Sequence, residues 1–290
     1  MCLILKIGNN MTPMNGLGIS TSKFTFIEPI TNNYSIDLDG TDDFINLGNS
    51  SSIKLTTVDT SEGVGMSIAA WCKADDWNVT SSTNPILNCI QVGGWKLDWT
   101  TRIIFTIKAG GSNRTAQSAY KPFETDGVDP HFRTSGWHLI AATFDGRYVK
   151  LYIDGTLEAT TDIGSDDNAI TYATGNNDVD VCIGADPGPL VGGESGTSPG
   201  TAFFTGLIDE VAMWDKILDL DAVKEMFDAV DVNGITLDLT EDSGDYDYSD
   251  DLVGYWKMEE GTGTTVEDSS DNSNTGTLKN SPGWSTTTPS

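Results

Sequence analysis

The most chemically loaded pair of residues in the sequence lies in the run Phe203-Phe204-Thr205-Gly206-Leu207-Ile208-Asp209-Glu210-Val211-Ala212-Met213-Trp214. Apolar residues occupy both alternating sets there, with Leu207, Val211 and Met213 on one side and Ile208, Ala212 and Trp214 on the other. Such a run reads as a strand covered on both faces, and strict alternation puts one of the two acids on each face. An ionised carboxylate in that setting needs a partner, a cation or a sheet end open to water. Asp39 and Asp42 form a second acidic cluster at a predicted turn. Calcium, which takes about six to eight oxygens, is the ligand that suits such groups. The spacing is not that of an EF-hand, because Gly40 follows Asp39 too soon. Trp77, Trp95, Trp99 and Tyr120 lie in or near predicted loops and offer faces on which a sugar ring stacks, against the competing reading of aromatic rings buried in a β core. Only two histidines are present, His131 and His138. They support neither a serine triad nor a zinc site, and His138 falls within a strand pattern as a structural residue.

The chain that must position these groups has 290 residues, a formal net charge of −27 and a sequence pI near 4.1. That charge excludes nucleic-acid backbones and anionic membranes as partners and suits metal cations or a salty medium. No apolar run approaches the ~18 residues of a membrane span, so no membrane insertion is expected. The start, Met1-Cys2-Leu3-Ile4-Leu5-Lys6, is too short in its apolar part and wrongly flanked for a signal peptide. Cys2, Cys72, Cys89 and Cys182 lack paired metal spacing and read as reduced residues of a protein made in a cytosol.

The predicted elements are strands. Tyr34, Ile36 and Leu38 alternate with polar residues, Gly40-Thr41-Asp42-Asp43 turns the chain, and Phe44-Ile45-Asn46-Leu47 runs back. Further strands are expected over 66–73, 86–89, 95–97, 103–107, 137–144, 148–153 and 179–184, with a long polar loop over 108–135. Asp145-Gly146 and Asp154-Gly155 between alternating runs are strong hairpin signals. Asp219 caps a late helix with Leu220, Val223, Phe227 and Val230 at helical spacing. The fold class is therefore all-β, an antiparallel β-sandwich with one short helix near its C-terminal end. Residues 1–33 form an N-terminal arm, 34–230 the sandwich, and 231–290 an acidic linker followed by a strand-donating segment around Tyr255, Trp256 and Met258.

Three stretches carry a resemblance. They are the 34–45 strand pair, the hairpins Gly136-Trp137-His138-Leu139 to Asp145-Gly146 and Leu151 to Gly155, and Gly206-Leu207-Ile208-Asp209-Glu210-Val211 ahead of a capped helix. Together they resemble laminin G-like domains of the concanavalin A-like and pentraxin jelly rolls. The resemblance implies a jelly roll and, where the first strand region meets the closing strand, a Ca²⁺ held by Asp209 with Asp268 of the Asp268-Ser269-Ser270-Asp271-Asn272 motif. In the family that motif precedes the first core strand, whereas here it follows the domain. The tail then supplies its outer strand either to its own sandwich or to a neighbouring copy. Glycosidases of this fold resembling the laminarinases carry Glu-x-Asp-x-x-Glu on a strand, and Glu259-Glu260 does not match that spacing.

The reading is of a non-catalytic module that recognises a partner. The acidic surface, the arm and the out-of-place strand are similar in style to structural proteins of bacteriophage particles, such as a capsid decoration or fibre protein. This implies other virion subunits as partners, a homo-oligomer, a virion location and surface glycans as ligands. The alternative is an extracellular carbohydrate-binding module of a polysaccharide-degrading system.

Overall fold

The computed structural model describes residues 32–290 except 60, 76–82, 91–92, 119–135, 165–167, 173, 175–177 and 188–201. Most of the arm, His131, Trp77 and Tyr120 lie outside the described residues. In chain order the strands are β1 (Ser35–Asp39), β2 (Phe44–Gly48), β3 (Val64–Ala74), β4 (Asn84–Ile90), β5 (Gly94–Trp99), β6 (Ile103–Ala109), β7 (Ser112–Gln117) and β8 (His138–Phe144). Next come β9 (Tyr148–Ile153), β10 (Thr156–Asp162), β11 (Val181–Ile183), β12 (Thr205–Lys216), the helix α1 (Leu220–Asp231), β13 (Leu252–Trp256), β14 (Thr265–Val266), β15 (Gly276–Lys279) and β16 (Gly283–Ser285).

Two antiparallel sheets face each other. The first runs β10-β9-β8-β3-β12-β1-β16, with β13 also paired to β12, and the second runs β14-β15-β2-β11-β4-β5-β6-β7. The core between them is built from alternate residues of both sheets, including Ile36, Ile45, Ile68, Leu97, Phe105, Ile140, Val211 and Trp256. A second apolar layer covers the outer face of the first sheet, where α1 packs Val223, Met226 and Ala229 against Ala69, Trp71, Leu139 and Trp214. Asp219 caps α1 by accepting from the Ala222 amide at 2.8 Å. Leu220 is left exposed, and Phe227 turns aside to stack on Trp71 instead of joining the buried stripe.

Two sequence expectations change. The polar stretch after Lys108 contains β7, because Gly110-Gly111 takes positive φ and folds a hairpin whose outer strand is polar enough to hide its period. The acidic stretch after 231 is no free linker. Leu237, Leu239 and Tyr246 are buried on the outer face, with the Tyr246 hydroxyl donating to Leu239 O and accepting from Trp214 Nε1.

The segment beyond 250 enters both sheets. β13 pairs with β12, β15 with β2, and β16 with β1. Tyr255 points to the helix layer and Trp256 to the inter-sheet core, each fully buried. β1 and β13 thus lie end to end along one side of β12, with Ile36 opposite Ile208 and Trp256 opposite Val211. The break between them falls at Asp209-Glu210.

Candidate functional site

Strand β12 does not alternate through that break. Asp209 is opposite Trp71 and Ala212 opposite Ala69, so β12 carries one extra residue there, a bulge with Glu210 at φ +51°. The extra residue shifts the phase. Ile208, Val211 and Met213 face the inter-sheet core, while Ala212 and Trp214 face the helix. Instead of lying on opposite faces, both carboxylates turn to one side, where the Asn32 amide donates to Asp209 Oδ2 at 2.9 Å and to Glu210 Oε1 at 3.3 Å. The other Asp209 oxygen accepts from the Glu210 amide, and Glu210 Oε2 accepts from the Tyr255 hydroxyl. Burial and the Glu210 charge push the Asp209 carboxyl well above its ordinary range. Burial, opposed by the Tyr255 hydrogen bond and the Lys257 charge, pushes Glu210 up to about 8. Beside them Glu259 accepts from the amides of Asn33 and Tyr34, at 2.8 and 3.0 Å, and so ties the start of β1 to the end of β13.

On the helix-covered outer face of the first sheet lies an open cleft of about 1050 Å³, at the upper limit of the size range of small-ligand sites. Trp71 is its floor, and the Phe227 ring stacks on it with centroids 6.1 Å apart and planes 19° apart. Trp137 forms a second aromatic wall, with a buried indole N–H that has no hydrogen-bond partner among the described residues. His138 Nδ1 lies 2.8 Å from Asp154 Oδ2, and Asp154 Oδ1 also accepts from the Leu139 amide, so the β9–β10 turn is locked to the start of β8. Asn233 and Asp231 at the end of α1, and Thr287 and Thr288 of the tail, complete the rim. The Thr288 hydroxyl donates to Asn32 O, linking rim and acid pair. Neither Asp209 nor Glu210 lines the cleft.

The predicted sugar platforms are corrected. Trp95 and Trp99 are 0% and 1% exposed, because β5 turns Trp95, Leu97 and Trp99 inward and only Lys96 and Asp98 outward. Neither indole presents an open face. The aromatic walls of the cleft, Trp137 and Phe227, were missed as ligand groups. The available signal was that Trp137 stands at the start of a predicted strand, where it is only half-buried.

The predicted metal ligands separate. Asp268 does not join Asp209. Its two oxygens accept from the backbone amides of Tyr255, Ser270 and Asn274 at 2.9, 2.9 and 2.8 Å, so it braces a loop. Asp39 and Asp42 do converge, with Asp43 as a third member whose ligand atoms lie within 4.8 Å of theirs. Asp39 Oδ1 accepts from the Thr41 and Asp42 amides, which lowers its pKa, while burial and the Asp39 charge raise that of Asp43.

A family profile for laminin G-like domains of the concanavalin A-like lectin/glucanase superfamily matches residues 47–224, more than half of the chain. The chain belongs to this family. No curated protein matches it. Among solved structures, a Bacteroides ovatus protein assigned to carbohydrate binding superposes on this laminin G-like chain with a TM-score of 0.55 at 17% identity, over 89% of this chain and 61% of its own. The chain thus spans about 61% of that protein's length. The mouse laminin α1 LG4-5 domains superpose with a TM-score of 0.43 at 17% identity, over 66% of this chain and 44% of theirs. The botulinum neurotoxin serotype G binding domain gives 0.43 at 18%, over 62% and 39%. At these identities the likeness is one of fold.

Proposed function

We propose that this chain is a non-catalytic carbohydrate-binding module and that the glycan lies in the cleft between α1 and the outer face of the first sheet. The observation that carries this reading is the composition of the cleft. Aromatic walls from Trp137 and Phe227 stand beside Asp154, which is fixed by His138 and the Leu139 amide, and the exposed polar side chains of Asp231 and Asn233, in an open groove. Sugars present apolar C–H faces and a ring of hydroxyls, and this pairing of surfaces meets both. The carbohydrate-binding assignment of the Bacteroides ovatus protein supports the same reading.

The acids of this region do not face a substrate. Asp209 and Glu210 are 0% and 5% exposed and converge on one amide group, with no room between them for a glycosidic bond. Their role in this proposal is to hold the split in the sheet closed. Binding of oligosaccharides, followed by calorimetry, tests the reading. Trp137→Ala is expected to weaken the best ligand at least about tenfold without lowering the melting temperature by more than a few degrees. Binding unaffected by Trp137→Ala and Phe227→Ala overturns the site.

For calcium, the Asp209–Asp268 pairing does not fit, and the Asp39–Asp42–Asp43 turn does. We place a Ca²⁺ there, where it would neutralise three close carboxylates and brace the β1–β2 connection. Calcium should raise Tm above the effect of equal ionic strength, and the double variant Asp42→Asn, Asp43→Asn should lose that increment. The particle-subunit, homo-oligomer and location expectations keep only their sequence support.

A further inference from the structure

We propose that the cleft takes an uncharged glycan and turns away sulfated and uronic-acid polymers. This rests on the glycan reading above and adds the charge class of the ligand. The cleft is lined by three carboxylates, Asp154, Asp228 and Asp231, against two ammonium groups, Lys73 and Lys224. Lys224 is paired with Asp228 one helical turn away, so these two charges offset each other and Asp154 and Asp231 are left against Lys73. Asp154 is held in place by His138 and the Leu139 amide, which engage both of its oxygens, so it contributes charge at the cleft wall from a side chain that is 8% exposed. Asp231 is exposed at the end of α1. Lys73 alone faces these acids, inside a chain of formal net charge −27.

Hydrogen-bond chemistry points the same way. A hydroxyl both donates and accepts, so a neutral sugar can donate to the exposed Asp231 carboxylate while accepting from the exposed Asn233 amide. A sulfate or carboxylate only accepts. Beside Asp231 it would stand against like charge with no hydrogen to give, while the long-range field of the whole molecule slows its approach.

The test is a matched panel presented to the full chain at neutral pH. It holds neutral glucan, mannan, galactan and chitin oligosaccharides beside heparin, sulfated galactan and oligoalginate. The expected result is binding of at least one neutral member, with an affinity that changes less than about twofold between ~0.05 and ~0.5 M salt. Charged members should bind at least about tenfold more weakly than their neutral counterparts. Asp231→Lys, an exposed substitution that leaves the fold intact, should raise binding of sulfated galactan. Tight binding of a charged polymer that falls steeply with salt and is lost in Lys73→Ala overturns the charge class while leaving the glycan site standing. Failure to bind any member overturns the glycan reading and this inference with it.

Discussion

Glu210 is held protonated by its surroundings, and this has a measurable consequence. In the unfolded chain its carboxyl ionises near 4.5, whereas in the folded chain it does so near 8, and Asp209 is displaced in the same direction. Across that window the native state retains protons that the unfolded chain has released. Stability should therefore be full below about pH 4.5 and fall as pH rises towards about 8, by on the order of a few kcal/mol at about 1.36 kcal/mol per unit. Glu210→Gln keeps the side-chain shape and removes one of the two titrations, so urea midpoints measured from pH 5 to 8 should keep only the part of their slope that belongs to Asp209. Asp268 shows the opposite use of a carboxylate, as an acceptor for three backbone amides. Asp268→Ala strands all three and should cost about 3 kcal/mol, read as a shift in the chemical denaturation midpoint. Gly206 sets a backbone limit at the same strand. Its φ is +127°, and an added Cβ would lie 2.4 Å from Lys73 O, so Gly206→Ala should destabilise the fold by roughly 2–4 kcal/mol.

At the scale of elements, β13 does the work that a first core strand would do in the order the family resemblance implies. Trp256 is fully buried between the sheets, with its indole donating to Asn274 O at 2.8 Å. Trp256→Ala should cost about 3–5 kcal/mol, and a chain ending at residue 250 should fail to give a cooperative unfolding transition. The sequence made β13 legible because Leu252-Val253-Gly254-Tyr255-Trp256 is an uninterrupted apolar run ending in two large aromatic residues. It also made β8 to β10 legible, because Asp154-Gly155 can adopt the φ values of +48° and +72° that the tight turn needs. β7 was hidden because its residues are polar on both sides, and the burial of 235–248 because its apolar residues are set among acids in a stretch that forms no long strand or helix. The bulge at Asp209-Glu210 was illegible for a different reason. An inserted residue leaves no mark on composition and only reverses the phase of the strand beyond it, so the acids were assigned to the wrong faces. The cleft had no linear signature, since Trp71, Trp137 and Phe227 come from three separate elements.

The molecule as a whole carries 43 acidic residues against 16 basic ones. Repulsion among them works against compactness and is screened within about 10 Å at 0.1 M ionic strength. Raising sodium chloride from ~0.05 to ~1 M should therefore raise Tm, a trend that differential scanning calorimetry checks directly. No helix among the described residues is long and apolar enough to cross a membrane.

The pairing of β1 with β16 places Ser35 opposite Ser285 and Asp37 opposite Gly283, with the Ser35 hydroxyl donating to Thr287 O. Traction applied through residues 32 and 288 would therefore pull both strands from the same end, opening their hydrogen bonds one after another rather than shearing them together. A tether anchored at these two points should yield at low force, peeling β16 away first. The Thr287 and Thr288 rim of the cleft would leave with it, so a stretched domain would open the proposed glycan site before its core gives way.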